Sequence, residues 1–471
     1  MRTELTQAGT FFIPATVLLC LLAKPSWMVL WTALLAPFEA ASVLNIYVGH
    51  YAFGVQPGYF GALALLVSVG MRILLRGRIP NGRRLSFVYA PLILFAVYAV
   101  ASAAVIPELL AGRIEVFPPR EGIALASLAP LQSSATNISQ ALYIVFLVAV
   151  AFAVSSVVAQ SRNGATVLKA YLIGGVLVSV VGLYQLLAFY LGWPYPDEFL
   201  SSNPGYSQGY SWLLGQAKRI SGTLTEPSVF AYYLTGILSA IAGIYLFARQ
   251  RFGFCLLAAF ISVMLLVSTS TTAYISIAVL WLVLLVLATR SKTSRPRMIL
   301  HGLGLVALAA PILLLAWRSG VEELVTFVVR SAILEKATTV SFTDRLGTDL
   351  HSLALVAESY GLGVGWGSNR SSSLLTNLIS NAGIPGIVLL LVFAIRVARL
   401  TRRVISAANP DRTIVIPLAL SALAMLVAGT ISNPDITHVV FWVNLGALVG
   451  LGLTKQRADS APTEALSEAY K

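Results

Sequence analysis

Long runs of apolar residues, separated by short polar stretches, dominate the chain. Each clear run has roughly 18 to 23 residues, enough for a helix to cross a bilayer core of about 30 Å. The pattern predicts eleven such helices, at about 57–75, 85–106, 138–159, 167–192, 227–248, 252–268, 271–289, 299–317, 383–398, 413–432 and 436–453.

Residues 11–45 form a less regular apolar stretch. Lys24 and Pro25 interrupt it, and Glu39 lies near its end. This stretch predicts either two short spans or one broken span, which raises the expected total to 12 or 13 helices. We expect the first apolar run to be a retained helix, since no A-x-A-like cleavage site follows it.

The composition agrees with this pattern. Hydrophobic residues make up 57% of the 471 residues and charged residues only 11%, whereas a soluble globular chain carries about 25% charged residues. A soluble core is therefore excluded. The sequence predicts an all-α polytopic membrane protein, with one integral membrane domain over 1–454 and a short, disordered cytoplasmic tail over 455–471.

The net charge of +13 is explained by orientation. Basic residues concentrate in every second loop, as the positive-inside rule requires of a cytoplasmic side, at 72–84, 162–169, 249–251, 290–297, 396–412 and 455–457. The opposite side then receives residues 107–137, 193–226 and 318–382 and the turn at Asn433 and Pro434. The charge gives no support for nucleic-acid binding.

The largest outer loop, 318–382, is predicted to be partly helical. From Ser341 onward, hydrophobic residues recur at steps of three and four, with Ser341 or Thr343 as a candidate N-cap; they are Leu346, Leu350, Leu353, Ala357 and Tyr360. Such a helix fits either the bilayer surface or the mouth of the bundle.

Motifs of soluble enzymes are absent from the sequence. It lacks a phosphate-binding G-x-x-x-x-G-K-[ST] loop, a G-x-S-x-G elbow and an H-E-x-x-H zinc motif. Cys20 and Cys255 have no partner spacing, and the four histidines, His50, His301, His351 and His438, have no metal-ligand spacing. We expect neither a metal nor a cofactor.

Charged residues on the outer side remain as candidates for chemistry. Arg219 and Glu226 bracket the entry to a predicted span. One interpretation is a snorkelling arginine, with Glu226 complementing the dipole of a helix that starts at Pro227. The other is an anion-binding site, since a charge near membrane depth is costly unless it is paired or functional.

Two further clusters lie in the large loop. Arg345 precedes Asp349 by one helical turn, with His351 nearby, and this pattern fits either a solvated ion pair or a functional arginine. Downstream, every second residue from 361 to 367 is a glycine, and Asn369 and Arg370 follow. This pattern fits either a flexible turn or an anion-binding nest of backbone N–H groups. That segment contains Gly361, Gly363, Gly365, Gly367, Asn369 and Arg370. Together, the clusters suggest one outward-facing pocket for phosphate or pyrophosphate, because arginine binds phosphate oxygens in pairs and stays charged.

Two blocks resemble the superfamily of O-antigen ligases and O-antigen or exopolysaccharide polymerases. The first block is RISGTLTEPSVFAYYL, similar to that family's R-x-x-G-[TL]-[FL]-x-[EN]-P-[NS]-x-x-A-x-[YF]-L segment. The second is TDRLGTDLHSLALVAESYGLGVGWGSNRSSSLLTNLISNAGIPGIVLLL, similar to its large periplasmic loop and next span. They cover under a fifth of the chain, but the order of spans and the loop sizes agree over most of it.

The resemblance implies a GT-C-like glycosyltransferase of the bacterial inner membrane with its active site facing the periplasm. The donor would be a glycan on undecaprenyl pyrophosphate, and the family's essential arginines correspond to Arg219 and Arg345. The ligases carry a histidine where this chain has Ser372 and Ser373. That departure, together with Glu226 in place of asparagine, favours the polymerase branch.

The leading hypothesis is therefore an inverting, metal-independent polymerase that transfers a glycan to a lipid-linked repeat unit. Arg219 and Arg345 would stabilise the departing pyrophosphate, assisted by Arg370, Asn369 and the glycines. Glu226 is the first candidate general base and His351 the second. The alternatives are a ligase that acts on lipid A core and a flippase for lipid-linked sugars. Expected partners are the lipid-linked glycan, the bilayer, and a flippase and chain-length regulator of the same pathway.

Overall fold

A computed structural model describes residues 2–22, 24–49, 51–77, 82–119, 127–161, 163–206, 213–214, 217–248, 251–290, 340–406 and 411–458. This part of the chain is 74% helix and 5% strand, which confirms the mainly helical prediction. The predicted span at 299–317 and most of the predicted tail lie outside the described residues. Residues 455–458 belong to the last helix and not to a tail.

Seven of the described helices are long and apolar enough to cross a membrane. They are α3 (Pro57–Arg76), α4 (Gly82–Leu109), α5 (Ala135–Ser161), α6 (Gly164–Leu191), α8 (Pro227–Phe247), α12 (Leu374–Ser406) and α13 (Arg412–Ser432). The protein is therefore a polytopic, membrane-embedded helical protein. The other described helices are α1 (Gln7–Leu22), α2 (Pro25–Leu35), α7 (Asp197–Leu200), α9 (Phe252–Val267), α10 (Thr271–Arg290), α11 (Val340–Glu358) and α14 (Val439–Ala458).

The irregular N-terminal stretch forms two short helices, α1 and α2. Lys24 is at the N-cap of α2 and Pro25 at its first turn, where proline loses no helical hydrogen bond. The chain then turns through Glu39, which lies outside both helices. The sequence had left open whether this stretch held two short spans or one broken span, and the structure shows two helices.

A small antiparallel sheet accompanies these helices and departs from the all-α prediction. Its strands are β1 (Arg2–Leu5), β2 (Leu44–Val48) and β3 (Tyr51–Val55), with Leu44 opposite both Leu5 and Val55. The short strands β4 (Glu115–Val116), β5 (Ala129–Pro130), β6 (Leu213–Leu214) and β7 (Ala217–Lys218) form two further pairs. The hydrophobic pattern missed all of them because strands of two to five residues give little periodic signal.

Helix α8 occupies the centre of the bundle. Almost all of its residues are buried, and it packs most extensively against α13, while α14 packs along α5. Glycines make the second contact close: a Cβ at Gly446 or Gly450 would lie within 2.8 Å of backbone oxygens of α5. Small residues allow membrane helices to approach in this way.

The predicted span at 383–398 starts at a break inside helix α12. Helix α12 begins at Leu374, and its regular geometry is interrupted at Gly383, with φ 59° and ψ −166°. The Ser373 side chain at the helix entry pairs with that of Thr376 at 2.8 Å. The hydrophobic pattern thus predicted the part of α12 that follows Gly383 and missed the turns before it, because those turns are more polar.

The segments predicted for the outer side meet at one end of the bundle. Asn377 donates to the carbonyl of Pro434 at 3.1 Å, and Asn137 donates to that of Trp366 at 2.8 Å. The amide of Ala40 donates to the carbonyl of Thr223 at 3.0 Å. The alternation of basic loops thus correctly grouped 107–137, 318–382 and the turn at Asn433 and Pro434.

Candidate functional site

The segment 219–226, which leads into α8, is held on two sides. The amides of Ser221 and Gly222 donate to Oε1 of Gln185 on α6, at 2.9 and 3.1 Å. Thr223 donates from its hydroxyl to the carbonyl of Pro37 at 2.6 Å. Gly222 has φ 60°, and a Cβ there would lie 2.7 Å from the carbonyl oxygen of Val178. The glycine of this motif therefore permits the close approach to α6 that positions Arg219.

Arg219 is half-buried and is held by the turn between α9 and α10. Its Nε donates to the hydroxyl of Thr269 at 3.1 Å. Thr269 has φ 54°, which for a β-branched residue costs about 1–3 kcal/mol and is typical of functional sites. The structure thus tolerates a strained residue at the contact that orients the guanidinium.

The two motif arginines are close enough for their charges to interact. Burial and repulsion by Arg345 lower the pKa of Arg219, while the carboxylate of Glu226 and Tyr274 oppose that shift. Arg345 lies on α11 with an exposed side chain. Two guanidinium groups that repel each other favour an anion between them, because an anion relieves both the repulsion and the cost of burial.

Glu226 occupies the N-cap of α8 without a side-chain bond to the helix backbone. Its Oε2 accepts a hydrogen bond from the Ser228 hydroxyl at 3.1 Å, and the side chain is partly exposed. Burial lowers the pKa of His438, whereas the carboxylates of Glu39, Asp435 and, with the smallest effect, Glu226 raise it. Glu226 is therefore near enough to both Arg219 and His438 for their charges to interact.

Asp349 docks α11 onto the entry of α12 and forms no ion pair with Arg345 among the described residues. Its carboxylate accepts from the Ser372 amide at 2.9 Å, the Ser372 hydroxyl at 2.8 Å, the Ser373 amide at 3.2 Å and the Thr376 hydroxyl at 2.8 Å. The interpretation of a solvated Arg345–Asp349 pair is therefore wrong. The contact instead holds the helix that carries Arg345.

Replacing Asp349 with alanine should release this docking. Loss of an acceptor that serves several buried donors costs about 1–3 kcal/mol, so the amides of Ser372 and Ser373 should exchange with solvent markedly faster. Hydrogen exchange measured by mass spectrometry checks this. Asp344→Ala, at an exposed position of the same helix, is the control and should leave exchange unchanged; equal protection in both variants would contradict the docking role.

His351, the second predicted base, ties α11 to the strand β4. Its Nε2 lies 2.9 Å from the carbonyl oxygen of Glu115, and its ring meets Phe117 edge-on with centroids 5.2 Å apart. Because a carbonyl only accepts, Nε2 carries the proton in this contact. The bond gives His351 a clear structural role in the position of α11.

The predicted anion nest at Gly363, Gly365 and Gly367 is corrected by the structure. The amide of Gly363 donates to the hydroxyl of Ser359, and the amide of Trp366, which lies between Gly365 and Gly367, donates to the hydroxyl of Ser102. Amides engaged in this way do not point at a ligand. All three glycines have φ between 80° and 96°, and a Cβ on any of them would lie within 3.0 Å of α4, α5 or α12. They serve close packing.

Asn369 is likewise a structural residue in place of the predicted ligand-binding one. It is 3% exposed, and its side-chain nitrogen Nδ2 donates to the hydroxyls of Ser352 and Ser380 at 2.9 and 3.0 Å. Its Oδ1 accepts from the amide of Phe117 at 3.0 Å. All of its side-chain groups are thus used inside the protein.

Arg370 pairs with Asp435 in the turn before α14. Their side chains are 3.8 Å apart and remain 50% and 39% exposed, so the pair contributes at most about 1 kcal/mol. The structure therefore connects Arg370 to the turn that contains His438. Arg219 and Arg345, by contrast, interact with each other.

A buried pair, Glu39 and His438, is not predicted by any pattern in the sequence. Nδ1 of His438 lies 2.8 and 3.0 Å from the two oxygens of Glu39, and the two residues are only 5% and 8% exposed. Glu39 follows α2 and His438 precedes α14, so nothing in local spacing joins them. The available signal was a carboxylate inside an apolar stretch, which is costly there without a partner.

No model of a known protein family matches the chain, and a search of curated proteins finds no significant match. Among the residues that the structure describes, no group of three or more His, Cys, Asp or Glu is placed to hold a metal ion.

Proposed function

We propose that the protein is a polysaccharide polymerase that transfers a glycan from a polyprenyl pyrophosphate to a lipid-linked repeat unit. The observation that carries this proposal is that Arg219 and Arg345 lie close enough, at one end of a membrane bundle, for Arg345 to lower the pKa of Arg219. Each arginine leads one of the two blocks that resemble the O-antigen ligase and polymerase superfamily. The bacterial inner membrane, with the site on its periplasmic face, is the corresponding location.

The arginine pair suits a pyrophosphate leaving group. When the bond between the anomeric carbon and the pyrophosphate oxygen breaks, negative charge grows on that oxygen, and fixed cations stabilise it without reorganising. Arg219 is held by Thr269 at 3.1 Å, and α11, which carries Arg345, is held through Asp349. The guanidinium of Arg219 and the helix that carries Arg345 are thus held in place before the substrate binds.

The polymerase is favoured over a ligase by the entry of α12. Ser372 and Ser373 stand where ligases carry a histidine, and their amides bind Asp349. That position supplies no titratable group here. A flippase would need charged residues and broken helices near the bilayer midplane, whereas Arg219, in the loop before α8, and Arg345, on α11, lie at one end of the bundle.

The test is incubation of the purified protein with a lipid-linked repeat unit, scored by electrophoresis and mass spectrometry. Products longer than one unit, released with free lipid pyrophosphate, support the polymerase. Transfer only to an added lipid A core acceptor would identify a ligase. Movement of unmodified lipid across a vesicle membrane without any product would identify a flippase.

A further inference from the structure

The buried pair at the outer-side end of the bundle gives a specific role within the proposed reaction. We propose that His438, oriented by Glu39, accepts the proton of the acceptor sugar hydroxyl. This inference rests on the proposed function and names the group that would complete it. It differs from the sequence prediction, which favoured Glu226 or His351 for that role.

The hydrogen bonds of His438 define which ring nitrogen carries the proton. Glu39 only accepts when ionised, so Nδ1 of His438 carries a proton and donates to it at 2.8 Å. Nε2 is then the accepting nitrogen, and the side-chain amide of Asn433 lies 2.8 Å from it. An acceptor hydroxyl would have to displace that amide to donate to Nε2, because the ring is only 8% exposed. A carboxylate that fixes one ring nitrogen leaves the other as an oriented base.

The surroundings stabilise the ring once it is protonated. The carboxylates that act on His438 come from three segments: Glu39 after α2, Asp435 in the same turn, and Glu226 at the start of α8. The ring of Tyr232 on α8 packs against the imidazole at an interplanar angle of 37°, with centroids 4.9 Å apart. From α3, Tyr59 donates to the carbonyl of Thr437 at 2.6 Å, and Arg370 partly offsets Asp435.

These charges determine the direction in which the pKa of His438 is shifted. Burial alone would lower the pKa of His438, but the effect of Glu39, with smaller ones from Asp435 and Glu226, outweighs burial and raises it above 6.5. The neutral imidazole is the form that accepts a proton. The rate of transfer should therefore increase as the pH increases through this raised value.

The proton and the bonds balance in one step. The acceptor oxygen bonds to the anomeric carbon, and its proton passes to Nε2 of His438. The bond from that carbon to the pyrophosphate oxygen breaks, and the lipid pyrophosphate leaves with the electron pair toward Arg219 and Arg345. The imidazolium then returns its proton to solvent before the next transfer.

The test is the pH dependence of single-turnover transfer by the full-length protein and its variants, with a lipid-linked repeat as donor and acceptor. His438→Gln should reduce the rate by about 10²–10⁴-fold. It should also abolish the acid limb of the pH–rate profile, which is the fall in rate at low pH. Glu39→Gln retains an acceptor for Nδ1 but removes the charge, so its acid limb should move to lower pH. Glu108→Gln, an exposed carboxylate near the end of α4, is the control and should match the wild type.

Three outcomes would overturn the inference. They are an unshifted acid limb in Glu39→Gln, an acid limb retained in His438→Gln, and loss of the limb only in Glu226→Gln, which would make Glu226 the base. Normal elution and melting of each variant exclude simple misfolding. If the wild-type protein extends no glycan at any pH, the proposed function fails, and that result is distinct from all three.

Discussion

Arg219→Ala should reduce glycan transfer by about 10²–10³-fold, as the loss of one preorganised donor to a developing anion usually does. Arg219 combines an oriented Nε, held 3.1 Å from the Thr269 hydroxyl, with a neighbouring guanidinium on Arg345. Arg219→Lys keeps a charge but loses the planar pair of donors, so its rate should lie between those of Arg219→Ala and the wild type. The measurement is the rate of product formation from a lipid-linked repeat unit.

The same substitution should leave the fold intact. Burial and repulsion by Arg345 both lower the pKa of Arg219, which means that its charge costs folding free energy. The melting temperature of Arg219→Ala should therefore equal or exceed that of the wild type. Arg399→Ala, at an exposed site near the other end of α12, serves as the control for loss of a cation. Wild-type transfer by Arg219→Ala would remove the basis of the proposed function.

Gly383→Ala should destabilise the protein by about 3–5 kcal/mol, from backbone strain together with overpacking. Gly383 has φ 59° and ψ −166°, a conformation almost restricted to glycine. A Cβ there would also lie 2.3 Å from the carbonyl carbon of Leu362. The break in α12 is what allows the amide of Ile384 to bind the carbonyl of Gly361 at 2.8 Å.

The measurement is thermal unfolding in detergent, followed by tryptophan fluorescence and by the fraction that elutes as a folded monodisperse species. Gly70→Ala is the matched control, because Gly70 lies in α3 and a Cβ there meets nothing within 4 Å. In a helix interior that change should stabilise by up to about 1 kcal/mol. Equal melting of the two variants would show that the loop at 361–364 does not depend on the Gly383 geometry.

Arg219 and Gly383 both lie in blocks that the sequence had singled out. The alternating glycines of the second block, however, have a different role in the structure from the one predicted. Alternating glycines before a cation fit an anion nest or a turn, because the sequence does not show where the amide groups point. In the structure, the amides of Ser368 and Asn369 donate to Oδ1 of Asn381 at 3.0 Å. That partner lies in the first turns of α12, which precede the break at Gly383 and the predicted span.

Asp349 shows the same limit at a single residue. At one turn from Arg345 it looked like a solvated ion-pair partner, since helical spacing reports only neighbours on the same helix. Its actual partners, Ser372, Ser373 and Thr376, belong to another helix. Helical spacing therefore predicts the correct block of sequence but the wrong partner for Asp349.

The amino-acid sequence is enough to predict the membrane-embedded helical class, most described spans, the grouping of the outer segments and the two arginine blocks. These features depend on local hydrophobicity and on charge sign, which are readable along the chain. Which side chains contact one another depends on how the helices pack. Glu39 and His438 are nearly the length of the chain apart, and their 2.8 Å contact forms because helix packing brings two buried, otherwise costly polar groups together.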